Sequence, residues 1–127
     1  MLENLLAAAV YVKVYENRFV LKLLADGETP STVVSAEPFT TKRLLVGQFM
    51  TAERTLKKGF KDIFSSRWFL PGPSVVIHPI EKVEGGLSEV EERVLRELAV
   101  SAGANKVTVW VGHELSDAEA RLRAKNA

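Results

Sequence analysis

A helix with both ends written into the sequence, followed at once by a strand, fixes the middle of this chain. Ser88 and Glu91 have capping-box spacing: the serine hydroxyl can accept from the N–H three residues on, and the glutamate can reach back to the serine N–H. Glu89, Glu91 and Glu92 then crowd the positive end of the helix dipole. Val90, Val94, Leu98 and Ala102, widened by Leu87 and Leu95, fall on one face and commit it to a core, while Glu92, Arg93, Arg96 and Glu97 mostly take the other. Gly103 can adopt the left-handed conformation that stops a helix, and Lys106 to Val111 follows as a β-branched strand. Helix, glycine turn and strand in succession imply an α/β architecture.

The flanks extend that reading. Val10 to Tyr15 and Phe19 to Leu24 are two strands joined tightly by Glu16-Asn17-Arg18, and so antiparallel neighbours. Asp26 to Pro30 makes a turn, Thr32 to Ala36 a third strand ended by Pro38, and a linker around Gly47 leads into a helix. That helix runs from Phe49 to Phe64, with Ala52, Leu56, Phe60, Ile63 and Phe64 at helical spacing and Lys57, Lys58, Lys61 and Asp62 outside the stripe. Gly59 within it costs about 1 kcal/mol relative to alanine. Ser74 to His78 reads as a buried strand ending at Pro79. Ser116 and Glu119 repeat the capping-box spacing and start a last helix that runs to about Lys125. The order β-β-β-α-β-α-β-α, three meandering strands and then helical crossovers, is that of the ribonuclease H-like fold on which actin-type domains are built: an α/β mixed sheet with an additional C-terminal helix.

At 127 residues, 46% apolar and 26% charged, residues 1–127 fit one domain with a single modest core and call for no second domain. The formal charge of +1 gives no global electrostatic case for nucleic acid. With no cysteine there is neither a disulfide framework nor a thiolate metal site, which suits a reducing cytoplasm. The apolar run from Met1 to Val10 lacks the basic flank of a signal peptide and is broken by Lys13 before it could span a bilayer, so it reads as entry into the first strand.

The central run also resembles a known family. Gly86, Ser88, Val90, Glu91, Arg93, Arg96, Glu97, Ala99, Ala102, Gly103, Ala104 and Val107 stand at the spacing found in the bacterial actin homologue MreB, the rod shape-determining family. Phe49, Glu53 and Leu56 look like that family's preceding helix, and Pro71 to Pro79 like its proline-led strand. From about residue 43 to residue 111 the chain is similar to the first subdomain of an MreB-like actin; over the first 40 residues the likeness rests on strand order.

The departures carry the functional expectation. Actin-type ATPases hold phosphate and metal with an Asp-x-Gly-Thr loop in the first hairpin, where backbone N–H groups and a carboxylate face the nucleotide. The matching stretch here is Lys13, Val14, Tyr15 and Glu16: a lysine replaces the carboxylate and a tyrosine stands where backbone must approach phosphate. After the last strand the family carries Glu-Glu-Pro, and this chain Val111-Gly112-His113. The insertion Ile80 to Gly85 lengthens a further connection. The resemblance thus implies shape without nucleotide hydrolysis: no enzyme, no catalytic residue, no cofactor, no metal and no small-molecule substrate.

Lys13 could salvage phosphate binding as a point charge, but reads first as a lysine on the solvent face of an edge strand. His78 and His113 lie on different elements with no third ligand nearby, a strand-end and a turn histidine rather than a zinc site. Gly85-Gly86 lacks the Lys-Ser/Thr of a phosphate loop and reads as a flexible turn. The strands offer no carboxylates for the metal of a ribonuclease H-type nuclease. Arg67, Trp68, Phe69 and Leu70 place large apolar side chains together beside a turn; the matching loop of the MreB family touches the membrane. Here these residues either contact a partner or lipid, aided by Lys57, Lys58 and Lys61, or fold back to close the core.

The expectation is a non-catalytic actin-like association module that binds a protein partner, itself or, weakly, the membrane surface. It would sit in the cytoplasm or at the inner face of the membrane, in cell shape or in secretion or pilus assembly. The alternative is a nucleotide-binding ATPase fragment whose site is completed by a second chain.

Overall fold

A two-residue turn, Glu16-Asn17, folds the first two strands together, and Asn17 takes the left-handed conformation that such turns demand, at φ 60. The computed structural model describes residues 8–64 and 72–127. Among them run β1 (Ala9–Tyr15), β2 (Arg18–Leu23), β3 (Ser31–Val34), α1 (Phe49–Phe64), β4 (Ser74–Pro79), α2 (Glu89–Ala102), β5 (Lys106–Val109) and α3 (Asp117–Lys125). The strands form one sheet in the order β3-β2-β1-β4-β5, antiparallel at β3-β2 and β2-β1 and parallel at β1-β4 and β4-β5. This is the mixed sheet of the ribonuclease H-like, actin-type fold. The expected segment before the first strand lies in residues 1–7, outside the described residues, as do Arg67, Trp68, Phe69 and Leu70.

Period-two alternation in the strands divides the core between two faces. Val10, Val12 and Val14 of β1, Phe19 and Leu21 of β2, and Val75 and Ile77 of β4 are fully buried on the face covered by α1 and α2. Tyr11 and Val76 point the other way, under the short α3, with Leu115, Ala120 and Ala124. The interval between β3 and α1 is part of the core rather than a linker. Phe39 is fully buried and stacks on Phe19 with centroids 5.0 Å apart, and Leu45 and Val46 close the same cluster.

Both capping boxes form. Glu91 N donates to Ser88 Oγ at 3.1 Å and Ser88 N to Glu91 Oε1 at 3.0 Å; Ser116 and Glu119 repeat the pattern. The buried face of α2 is narrower than the sequence suggests. Leu95, Leu98, Ala99 and Ala102 are buried, Leu87 and Val94 partly so, and Val90 is 72% exposed. The first turn of α2 stands at an open apolar groove, which Val90 lines together with Leu44, Val46, Pro79, Val83 and Leu87. Two leucines fully withdrawn from water still contribute about 1.5–3 kcal/mol each.

Two boundaries shorten for identifiable reasons. β3 stops at Val34, because Ser35 turns the chain by donating its hydroxyl to Glu37 O while accepting from Thr55 Oγ1. β5 stops at Val109: Trp110 N still donates to Ile77 O, and Gly112 at φ 148 then redirects the backbone.

Two glycines mark close approaches. A Cβ on Gly59 would lie 3.0 Å from Leu21 Cδ1 and from Val33 Cγ1, so the residue that weakens α1 locally also lets it lie flat on β2 and β3. At Gly72 a Cβ would fall 1.8 Å from Gly103 O, backbone on backbone. Gly72→Ala must displace the start of β4 from the end of α2. We expect it to cost about 1–3 kcal/mol, the range of overpacking, in a denaturant titration followed by circular dichroism.

Candidate functional site

The hairpin turn, the stretch from Phe39 to Val46, the loop from Ile80 to Gly86 and the loop from Trp110 to Ser116 gather at one end of the sheet. There β1 and β4 finish side by side, with Lys13 opposite His78 and Val14 opposite Pro79. Crevices at the carboxyl ends of parallel strands are where α/β sheets ordinarily take their ligands.

The chain fills the hairpin itself. Glu16 N donates to Glu81 Oε1 at 2.7 Å, and Asn17 N donates to Thr40 Oγ1 at 3.0 Å. Asn17 Oδ1 accepts from Phe39 N at 2.9 Å and from Thr40 N at 2.8 Å. The next residue of the 80–86 loop, Lys82, is held in the left-handed conformation at φ 57, and its ammonium donates to Lys42 O at 2.8 Å and lies 4.0 Å from Glu16 Oε1. The inserted loop is thus a strap across the turn, with one carboxylate against a turn N–H.

Beside the strap, Lys13 Nζ lies 2.7 Å from Glu114 Oε1. β1 is the middle strand of the sheet, so Lys13 is not the edge-strand lysine of the sequence reading. Its side chain is partly buried under the β5–α3 loop, because the topology adds β4 and β5 to the far side of β1. Burial is the largest single influence on Lys13 and opposes its charge, but the Glu114 hydrogen bond together with the electrostatic pull of Tyr15, Glu114 and Tyr11 overcomes it and raises the Lys13 pKa, while Glu114 is lowered by the same bond. Val14 is buried in the core, and Tyr15 carries the Arg18 guanidinium 4.2 Å above its ring.

His78 is no free strand-end histidine either; it is 1% exposed. Its Nε2 faces Gly112 O at 3.0 Å, an acceptor only, so Nε2 carries the proton and Nδ1 accepts from the Tyr11 hydroxyl at 2.7 Å. Leu115 N donates to the same hydroxyl at 3.1 Å, tying the start of α3 to the sheet. Burial lowers the His78 pKa and raises that of Tyr11. His113 stands apart, 3.2 Å from Glu119 Oε2. Among the described residues no three His, Asp or Glu side chains are placed to hold a metal ion, and no helix is long and apolar enough to cross a membrane.

Of the residues singled out in the sequence, the structure brings Lys13 and Glu16 to this end of the sheet and turns Val14 away. Sequence reasoning missed Glu81, Thr40 and the Tyr11–His78 pair. An asparagine in a two-residue turn was a readable signal for Asn17; nothing local marks Glu81, whose partner is 65 positions away.

No protein-family model matches this chain. It is 32% identical over 100 residues to the Uncharacterized protein YjaA of Escherichia coli (strain K12), covering 75% of this chain and 76% of that protein. It is 31% identical over 81 residues to the Cell shape-determining protein MreB of Haemophilus influenzae, covering 64% of this chain and 21% of that protein. MreB of Escherichia coli (strain K12) matches at the same identity, with 22% of its length covered. The chain therefore spans about a fifth of the MreB proteins it matches. Among solved structures, a chain from a structural study of the Aquifex aeolicus PPX-GPPA enzyme superposes with a TM-score of 0.43 at 16% identity, covering 83% of this chain and 36% of that one.

The Tyr11–His78 network makes stability depend on pH in a defined direction. His78 has a folded pKa below its unfolded value near 6.5, so the unfolded chain binds the proton first and stability falls as pH drops from about 6.5 through the lowered native value. Urea titrations at pH 7.5 and 5.0 are expected to show that loss. In His78→Leu the step disappears, and stability at pH 7.5 falls by about 1–3 kcal/mol because Gly112 O and the Tyr11 hydroxyl lose their partner.

Proposed function

We propose that this chain, which belongs to the family of Escherichia coli YjaA, is a non-catalytic, actin-like association module of MreB-like descent. It works by contact with a protein partner, with another copy of itself or with the inner membrane surface, from the cytoplasmic side. The observation that carries this reading is the bond from Glu16 N to Glu81 Oε1, which gives the chain's own carboxylate the place where an actin-type hairpin would face phosphate. A bound phosphate there would have to displace that carboxylate and would meet the charge of Glu16 as well. Lys13, the cation that could have served phosphate, is committed to Glu114.

The similarity to MreB supports the actin-like part of the reading, and the name of that relative, cell shape-determining, suggests the setting: cell shape, or a related secretion or pilus-assembly machine. That setting is a proposal for this chain.

Calorimetric titration with ATP and magnesium tests the reading. We expect no binding heat; micromolar binding would overturn it in favour of an ATPase fragment completed by a second chain. Glu81→Ala is expected to lose about 0.5–1.5 kcal/mol of stability, the net scale of an ordinary intramolecular hydrogen bond, because the bond is exposed, as measured by thermal unfolding.

A further inference from the structure

The helix α3 is joined to the sheet differently from α1 and α2. It buries Ala120 and Ala124, with Leu115 just before it, whereas α1 alone buries Leu56, Phe60 and Phe64. So little apolar burial, set against the cost of ordering a helix of nine residues, makes α3 the element nearest to local opening. Its ion pairs, Lys22 with Asp117 and Arg121 with Asp26, are partly or fully exposed and hold weakly. Toward its end, Thr108 Oγ1 donates to Arg123 O at 3.2 Å and the Arg123 guanidinium lies 3.7 Å from the Trp110 ring centroid, both contacts between partly exposed residues.

The links through His78 and Tyr11 lie deeper and grip backbone. His78 Nε2 donates to Gly112 O, the Tyr11 hydroxyl donates to His78 Nδ1, and Leu115 N donates to the Tyr11 oxygen. Gly112 and Leu115 bracket the turn that leads into α3, so this relay clamps the turn at two points. Three protons serve three acceptors, with none to spare. A further proton on Nδ1 would meet the Tyr11 hydroxyl donor to donor, and the hydroxyl hydrogen would have to give up its acceptor while still buried.

We infer that α3, with the turn from Gly112 to Ser116, is a latched cap that opens as a unit while the five strands stay paired, and that protonation of His78 releases the latch. In the open form His78 meets water and carries its charge freely, and the apolar strip of Tyr11 and Val76 comes to the surface. A proton that the closed form excludes thereby favours the open one. Burial lowers the His78 pKa in the closed form, in keeping with that exclusion.

The groups around His78 do not reverse the sign. Tyr11 and Lys13 face it from β1, and His113 and Glu114 from the turn; α3 adds Asp117, bound to Lys22, and Glu119, bound to His113. The Lys13 pKa is raised and those of Glu114 and Glu119 are lowered, so these three keep their charges from pH 7.5 to 5.0. Charging His113 would strengthen its contact with Glu119 and favour the closed form, so it opposes the effect and is separated from it by substitution.

Amide exchange of the full chain, followed residue by residue by NMR and corrected for the intrinsic pH dependence of exchange, tests the inference. At pH 7.5 the amides of Ala120 and Ala124 should open at least about tenfold more often than those of Val12 and Ile77, and with a weaker dependence on added urea, because less surface is exposed. Between pH 7.5 and 5.0 their opening should rise by up to about 30-fold, the ratio set by an ordinary histidine pKa near 6.5 in the open form. His78→Gln, which does not titrate but has an amide to bond Gly112 O and the Tyr11 hydroxyl, should remove that rise; His113→Gln should preserve or enlarge it. Ala120 and Ala124 exchanging with the rate and urea dependence of Val12 and Ile77, an opening that ignores pH in the unmodified chain, or a rise that persists in His78→Gln would each overturn the inference. No arm of the experiment uses nucleotide, so its result stands apart from the ATP titration.

Discussion

Asn17 is the side chain on which one end of the molecule depends. Its amide oxygen accepts two backbone N–H groups, its own N–H binds Thr40, and its carbonyl accepts Ser35 N. A single turn residue thereby joins the β1–β2 hairpin, the end of β3 and the stretch that carries Phe39 onto Phe19. Removing water from these backbone groups would be costly without partners, and the asparagine supplies them in one place. Once the turn is tied down, its remaining N–H at Glu16 is available, and the strap from Ile80 to Gly86 brings Glu81 to it.

The two faces of the sheet are held by different physics. Under α1 and α2 lies an apolar core of valines, leucines and phenylalanines, where packing does the stabilising. Under α3 the apolar cluster is small, and polar links supplement it: the Tyr11 hydroxyl to Leu115 N, His78 to Gly112 O, Lys13 to Glu114, and Lys22 to Asp117 at 2.8 Å. Protonation of His78 is therefore expected to bear on the β5–α3 loop, which its ring nitrogens hold through Gly112 and Tyr11, more than on the larger face. The short α3 also leaves the outer part of β2 and β3 on that side uncovered.

What was legible in the sequence follows the range of the interactions. Capping boxes, the stop at Gly103 and the helix from Phe49 to Phe64 are local, and their elements stand where the residues put them. The antiparallel pairing of β1 and β2 was legible in the same way, from the tight connection between them. Long-range relations were not legible: that β1 is central and Lys13 therefore partly buried, that Phe39 completes the core, and that Glu81 reaches Glu16. Val90 was misassigned for a related reason, since helical periodicity gives the direction of a side chain but not whether the sheet extends far enough to cover it.

The central claim is that the chain occupies its own hairpin. The most direct test follows the backbone amide resonances of Glu16 and Asn17 by NMR while magnesium and ATP are added, with Glu81→Gln as the reference for a weakened bond. The account predicts that Glu81→Gln moves the Glu16 resonance and that magnesium and ATP leave both resonances where they are. A saturable shift of Glu16 and Asn17 on adding magnesium and ATP would contradict it.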